Sequence, residues 1–306
     1  MRSFASFLGL IAFGLLGIAV FAYPAWELSQ ALGLDFKFHR VANRIAMLTL
    51  LVGFVLVARR LKVADKASLG YGVPRREFLQ SLGGGLLLGA VTMLPVLATM
   101  VLLDMRELKP EFAPTMMHWA NLALSGLATG LVVALIEETF LRGAMMTAIA
   151  RESGFLKAIV LTSLVYAATH FIGRYRVTGA VNVGSGLDML AGTFASFAHF
   201  GAILDAFLCL AGVGVLLGLV RARTGNIAAC IGLHAGWVMV ISVVRETSMR
   251  NPTGPATWLL SDYDGFIGWM VLAWIVVLGF VLARIYPHRN GDIPDMQHMG
   301  TGLGSE

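Results

Sequence analysis

The sequence predicts an all-α fold, a polytopic membrane helix bundle of about eight transmembrane helices. Three observations carry that expectation. Of 306 residues, 57% are hydrophobic and only 13% are charged, whereas soluble domains carry about 25% charged residues. The mean hydropathy is +0.77. Apolar runs near the length of about 20 residues that a bilayer crossing needs recur along the chain between polar loops.

The eight runs are 4–23, 41–58, 82–103, 122–149, 158–172, 203–220, 227–244 and 266–284. The first follows Arg2 and is longer than the 7–15-residue core of a signal peptide, with no A-x-A-like site after it. It reads as a membrane helix. The fourth run is long enough for its helix to extend beyond the hydrocarbon, and the fifth and sixth are short. The apolar stretch 189–200 adds too many residues to the sixth run for one crossing and reads as an interfacial or re-entrant piece.

Loop charge sets the orientation. Arg59, Arg60, Lys62, Lys66, Arg75 and Arg76 follow the second run. Arg151 and Lys157 follow the fourth, Arg221 and Arg223 the sixth, Arg284 and Arg289 the eighth. All four clusters share one side if the N-terminus lies there, and the positive-inside rule makes that side cytoplasmic. Both termini are then cytoplasmic. The opposite loops hold mixed charge, such as Asp104, Arg106, Glu107, Lys109 and Glu111. Arg174, Arg176, Arg245 and Arg250 on that side weaken the bias without reversing it.

The net charge of +5 therefore belongs to a lipid bilayer partner and not to nucleic acid, because no basic patch is interleaved with aromatics on a soluble module. Cys209 and Cys230, the two cysteines, lie in apolar runs and exclude a disulfide framework or a CxxC metal site. Residues 62–80 read as a cytoplasmic loop with a short amphipathic stretch, and the polar, glycine-rich tail 287–306 as disordered. No internal repeat of the inverted-transporter kind is visible. No organellar transit signature is present, so a bacterial inner membrane is the expected location.

Chemistry enters with the polar groups inside the spans. Glu137 and Glu138 interrupt the fourth run, followed by Arg142. A carboxylate at mid-bilayer costs roughly 2.5 kcal/mol or more unless paired or wet, and such residues mark functional sites by default. Glu138 and Arg142 are four residues apart and stack on one helix face, where they form a charge-assisted pair. Glu137 points elsewhere and is left free to act. His170 closes the fifth run, His234 sits in the seventh and Asp205 in the sixth. Counted from the flanking loops at 1.5 Å per residue, Glu137 and His170 lie about 20 Å deep and His234 about 13 Å. Asp205, about 22 Å up by the same measure, reads as a packing residue, and His199 lies nearer the far surface. Tyr166 and Trp237 read as packing aromatics. The chemistry this set suits is hydrolysis. Glu137 takes a proton from water, His170 helps to position it, and His234 donates to the oxyanion that forms on a peptide carbonyl.

The same residues resemble the CPBP family of intramembrane endopeptidases, named for CAAX proteases and bacteriocin-processing enzymes. Its pattern is Glu-Glu-x-x-x-Arg, then Phe-x-x-x-His, then His-x-x-x-Asn or Asp, on separate membrane helices. Here the first motif is complete from Glu137 to Arg142. The second reads Tyr166-Ala-Ala-Thr-His170, and the third reads His234-Ala-Gly-Trp-Val238. The resemblance implies that Glu137 and His170 activate water, that His234 stabilises the oxyanion, and that Glu138 and Arg142 support them. Val238 has no donor, so the oxyanion site needs another, a backbone N–H or Trp237.

On this reading residues 1–121 hold the N-terminal helices and a cytoplasmic loop, 122–244 the catalytic core, 245–286 the final helix and 287–306 the tail. The substrate partner is a peptide or protein in the membrane, lipidated or leader-bearing. No cofactor is expected. A zinc variant using Glu137, His170 and His234 is the metal alternative, disfavoured by the absence of HExxH. Two other classes compete: a non-catalytic membrane scaffold or immunity protein, supported by Val238, and an ion-coupled transporter using the acids and histidines as a proton relay.

Overall fold

A computed structural model describes residues 1–110, 115–172 and 175–285. The expected disorder of the tail 287–306, including Arg289, and the expected placements of Glu111 and Arg174 lie outside the described residues.

The apolar runs form helices because in hydrocarbon every backbone N–H and C=O must be satisfied within its own segment. In order they are α1 (Arg2–Ala31), α2 (Phe38–Arg60), α3 (Arg75–Thr92), α4 (Leu94–Leu102), α5 (Met116–Glu138), α6 (Met146–Ser153), α7 (Phe155–His170), α8 (Ser185–Thr193), α9 (Ala195–Ala198), α10 (Leu204–Thr224), α11 (Ala228–Thr247) and α12 (Trp269–Ile285). Among the described residues six helices are long and apolar enough to cross a membrane, and α7 and α12 are shorter apolar helices. The protein is a multi-pass membrane protein.

The boundaries differ from the sequence expectation in instructive ways. The first helix does not stop before Pro24 but runs through it to Ala31. The run 82–103 is two helices, because Pro95 sits at the start of α4 and its ring and missing N–H stop a helix coming from the N-terminal side. The run 122–149 is one rod over Met116–Ser153, about 57 Å at 1.5 Å per residue. Within it, Thr139–Met145 is π-helical. Gly154, at φ +85°, ends the rod in a conformation that suits glycine. The stretch 189–200 does not form one continuous helix. It folds as parts of α8 and α9 and leads into a 3-10 turn, Phe200–Ile203. One departure from all-α is a two-stranded antiparallel sheet, β1 (Arg106–Leu108) with β2 (Ser248–Arg250), in which Arg106 faces Arg250.

Packing is closest around α11, which lies against both α3 and α5. A methyl group placed on Gly85 or Gly89 of α3 would meet the Ala229 or Leu233 carbonyl oxygen at 2.6 or 2.5 Å. One on Gly232 or Gly236 of α11 would meet the Leu82 or Leu86 carbonyl oxygen at 2.2 or 2.6 Å. These are small-xxx-small contacts, which let helix backbones touch where lipid offers no hydrophobic drive. On the other side, Gly130 of α5 lies against the backbone of Ala235. Every residue of α11 from Ala228 to Trp237 is buried as a result.

The loops gather at two ends. At one, Arg151 donates to the Lys62 carbonyl (2.9 Å) and the Ser68 hydroxyl (2.7 Å). Nearby, Thr147 donates to the Ser68 carbonyl (2.8 Å) and the Ile227 N–H to the Gly70 carbonyl (3.1 Å). The N-terminal amine pairs with Glu152 at the same end. At the other end β1 and β2 pair, and Asn251 donates to the Asp104 carbonyl (3.1 Å). Basic loops assigned to one face by charge are thus neighbours in space.

Candidate active site

The fourth rod positions the two glutamates. The buried residues of α5 are Gly126, Gly130, Ala134 and Glu138, a stripe with a period of four. Three small residues bring α5 against α11, and the fourth position of that same stripe is a carboxylate. Glu138 is therefore sealed, with its side chain 0% exposed. Glu137, about 100° round the helix, keeps 31% of its side chain accessible.

Glu138 is held from two directions. Arg142 pairs with its Oε1 at 3.1 Å, and His234 Nδ1 lies 2.9 Å from the same oxygen. An ionised carboxylate only accepts, so Nδ1 carries the hydrogen and the free ring nitrogen of His234 is Nε2. That nitrogen faces Glu137 Oε2 at 3.9 Å, an electrostatic contact longer than a hydrogen bond. Glu137 Oε2 is buried and has no hydrogen-bond partner among the described residues.

Arg142 is itself fully buried, in the π-helical turn. It donates to the Gly214 carbonyl of α10 (3.2 Å), and its guanidinium lies over the Tyr166 ring, 4.7 Å from the centroid. Its own carbonyl accepts from Arg221 (3.3 Å). The wider π turn accompanies this geometry at a helix that must satisfy partners on two sides, and π segments recur at functional sites. Behind it, the Tyr71 and Thr139 hydroxyls bond at 2.6 Å, tying the loop before α3 to the residue after Glu138.

His170 ends α7. Its Nδ1 lies 2.8 Å from the Tyr166 carbonyl, which can only accept, so Nε2 is again the nitrogen open to a proton. Its ring lies 4.5 Å from that of Tyr166, which in turn meets the His234 ring edge-on at 6.0 Å. The Tyr263 hydroxyl donates to the His170 carbonyl, and the Tyr263 ring packs on Phe171 at 4.4 Å between centroids.

The structure thus brings Glu137, Glu138, Arg142, His170 and His234 together from the fourth rod, α7 and α11. Asp205 stays apart. It lies in the first turn of α10, where it accepts from the Ser261 hydroxyl (2.9 Å) and the Ala206 N–H (2.7 Å). His199 is exposed, between α9 and the 3-10 turn. Trp237 does not offer its N–H to the site, because Nε1 donates to the Thr92 hydroxyl at 3.0 Å. Val238 is half-buried one turn after His234. Among the described residues no group of three His, Cys, Asp or Glu side chains is arranged to hold a metal ion.

Two contacts had no sequence signal. Tyr263 and His170 are 93 residues apart, and nothing in the polar loop around Tyr263 announces its partner. The link from Tyr71 to Thr139 spans 68 residues in the same way. The period-four stripe ending at Glu138 was present in the sequence and would have told which glutamate is buried.

Residues 119–240 match the family model of Rce1-like type II CAAX prenyl endopeptidases. This stretch of the chain, which holds all five converging residues, is thus similar to a family of CAAX prenyl endopeptidases, in keeping with the CPBP resemblance of its motifs. Comparison with curated proteins and with solved structures finds no match.

Proposed function

We propose that this protein is an intramembrane endopeptidase that hydrolyses a peptide bond of a membrane-associated, lipidated or leader-bearing substrate with water activated by Glu137. The observation that carries the reading is the unequal state of two neighbouring carboxylates. Glu138 is sealed and committed to Arg142 and His234. Glu137 is uncommitted and partly accessible, with His234 Nε2 3.9 Å from its Oε2.

In this reading water is held between Glu137 and His170 Nε2. Glu137 takes its proton as the oxygen attacks the carbonyl carbon, and the carbonyl electron pair moves to oxygen. His234, oriented by Glu138, helps to stabilise that charge when Nε2 is protonated. The proton on Glu137 then passes to the leaving amine as the C–N bond breaks. A zinc ion, if held by Glu137, His170 and His234, would supply Lewis-acid chemistry to the same water, although among the described residues no three such side chains are arranged to hold one. A cell membrane of bacterial type is the proposed location.

The family description points to a first substrate, a farnesylated C-terminal peptide, with a leader-bearing peptide as second. Protein in lipid nanodiscs is incubated with each. Glu137→Gln and His170→Ala are expected to lower cleavage by about 10²–10⁴-fold, the usual contribution of general acid–base groups. Cleavage at the unmodified rate by both variants overturns the mechanism. A second reading, a non-catalytic scaffold, is favoured by Val238 alone. It gains if the biological phenotype survives Glu137→Gln.

A further inference from the structure

The chain departs from the CPBP pattern at two positions of its motifs. Val238 stands where the family has Asn or Asp, and Tyr166 stands where it has Phe. One change removes a polar group and the other adds a hydroxyl. We propose that the Tyr166 hydroxyl donates the hydrogen bond to the oxyanion that residue 238 does not supply, which makes Tyr166 a catalytic residue. The inference rests on the endopeptidase reading above and deepens it.

The geometry supports this in four ways. Tyr166 precedes His170 by four residues on α7, so the two share a face. The rings are 4.5 Å apart, and the Tyr166 ring meets His234 edge-on at 6.0 Å. Arg142 caps the other part of the ring, so Tyr166 is surrounded by the residues that converge with Glu137. The residue is 3% exposed, and among the described residues its hydroxyl makes no hydrogen bond. Three other tyrosine hydroxyls do: Tyr23 with Glu27, Tyr71 with Thr139, and Tyr263 with the His170 carbonyl.

A packing role alone is served by phenylalanine, whereas an unpaired hydroxyl beside the converging residues is a donor available to a substrate. The alternative donor within α11 is taken, because the Trp237 N–H is bonded to Thr92.

The step balances simply. Water oxygen bonds to the carbonyl carbon, its proton goes to Glu137, and the C=O π pair becomes the oxyanion. Tyr166 donates a hydrogen bond to that oxygen and keeps its proton throughout.

The test uses full-length protein in nanodiscs and the farnesylated peptide. Tyr166→Phe restores the family residue and keeps the ring. It is expected to lower kcat by about 10²–10³-fold, the loss seen for one oxyanion donor, with KM changed by less than about twofold. Adding Val238→Asn to it is expected to recover at least about tenfold in kcat, as one donor is restored. Binding gives a second readout. A phosphinate analogue of the peptide, tetrahedral at the reacting centre, is expected to lose at least about tenfold in affinity for Tyr166→Phe, while the product peptide does not.

Unchanged kcat and unchanged phosphinate affinity in Tyr166→Phe, with Glu137→Gln inactive, overturn the role of Tyr166 and leave the endopeptidase reading standing. Absence of both cleavage and phosphinate binding by the unmodified protein overturns the two together.

Discussion

Helices α11 and α7 each bring one histidine to the same place, and they are held there by opposite means. α11 is clamped on two sides by backbone, glycine against carbonyl, so that His234 rests on atoms with no rotamers to change. α7 packs mainly on α10 and α6, and its last turn is fixed by the Tyr263 hydroxyl on the His170 carbonyl and by rings around Phe171. One histidine is positioned by small residues of its own helix and of the two helices packed against it, the other by a side chain from a loop far along the chain. Distant changes should therefore move His170 far more readily than His234, while a single added methyl should do the reverse.

Arg142 joins the two regions, bonding Glu138 on the α11 side and the Gly214 carbonyl and Tyr166 ring on the α7–α10 side. Its replacement breaks the comparison most severely. Arg142→Met strands a buried carboxylate, and breaking one partner of a buried pair costs about 3–5 kcal/mol. A large fall in the thermal unfolding midpoint is expected, and a midpoint equal to that of the unmodified protein contradicts the pairing.

Next in size is Gly232→Ala, whose methyl would sit 2.2 Å from the Leu82 carbonyl oxygen. Overpacking of this kind costs about 1–3 kcal/mol. Gly83→Ala on α3 is the matched control. Nothing lies within 4 Å of its added methyl, so helix propensity is expected to leave stability equal or raised by about 0.5–1 kcal/mol. Equal effects of the two substitutions would dismiss the backbone clamp.

Tyr263→Phe sharpens the other half of the comparison. It removes one hydrogen bond, worth about 0.5–1.5 kcal/mol. Because that bond positions His170, a lower kcat with unchanged KM is expected, together with a shifted pH–rate profile. A stability loss without either kinetic change leaves Tyr263 a purely structural tie.

The smallest effect lies at the basic end. The Ser68 hydroxyl and N–H bond the Asp65 carboxylate (2.5 and 2.9 Å) and hold its carboxyl below the ordinary value of 3.8. A depressed folded value means that the contribution is complete above the unfolded one and fades as pH falls through the folded one. A slight loss of stability on acidification below about pH 4 is expected, absent in Asp65→Asn. Retention of the full acid sensitivity in that variant removes Asp65 as its source.

Much of this architecture was legible beforehand for a physical reason. Hydrocarbon forces each crossing segment to satisfy its own backbone, so apolar length alone located the helices. The pairing of Glu138 with Arg142 followed from their spacing by four. What the spacing could not convey was everything set by a second segment. It did not show that Trp237 spends its N–H on Thr92, that a π turn follows Glu138, or that Asp205 binds Ser261. α1 runs through Pro24 because a proline within a membrane helix is tolerated more readily than in water, whereas Pro95 begins a new helix.

The account turns on a division of labour between adjacent carboxylates, and comparing Glu137→Gln with Glu138→Gln tests it most directly. Each variant is assayed for farnesylated-peptide cleavage and thermal unfolding. Glu137→Gln is expected to unfold with the unmodified protein and to have lost cleavage, while Glu138→Gln unfolds at a lower temperature because Arg142 and His234 lose their shared anion. A Glu137→Gln protein that cleaves the peptide at the unmodified rate contradicts the account.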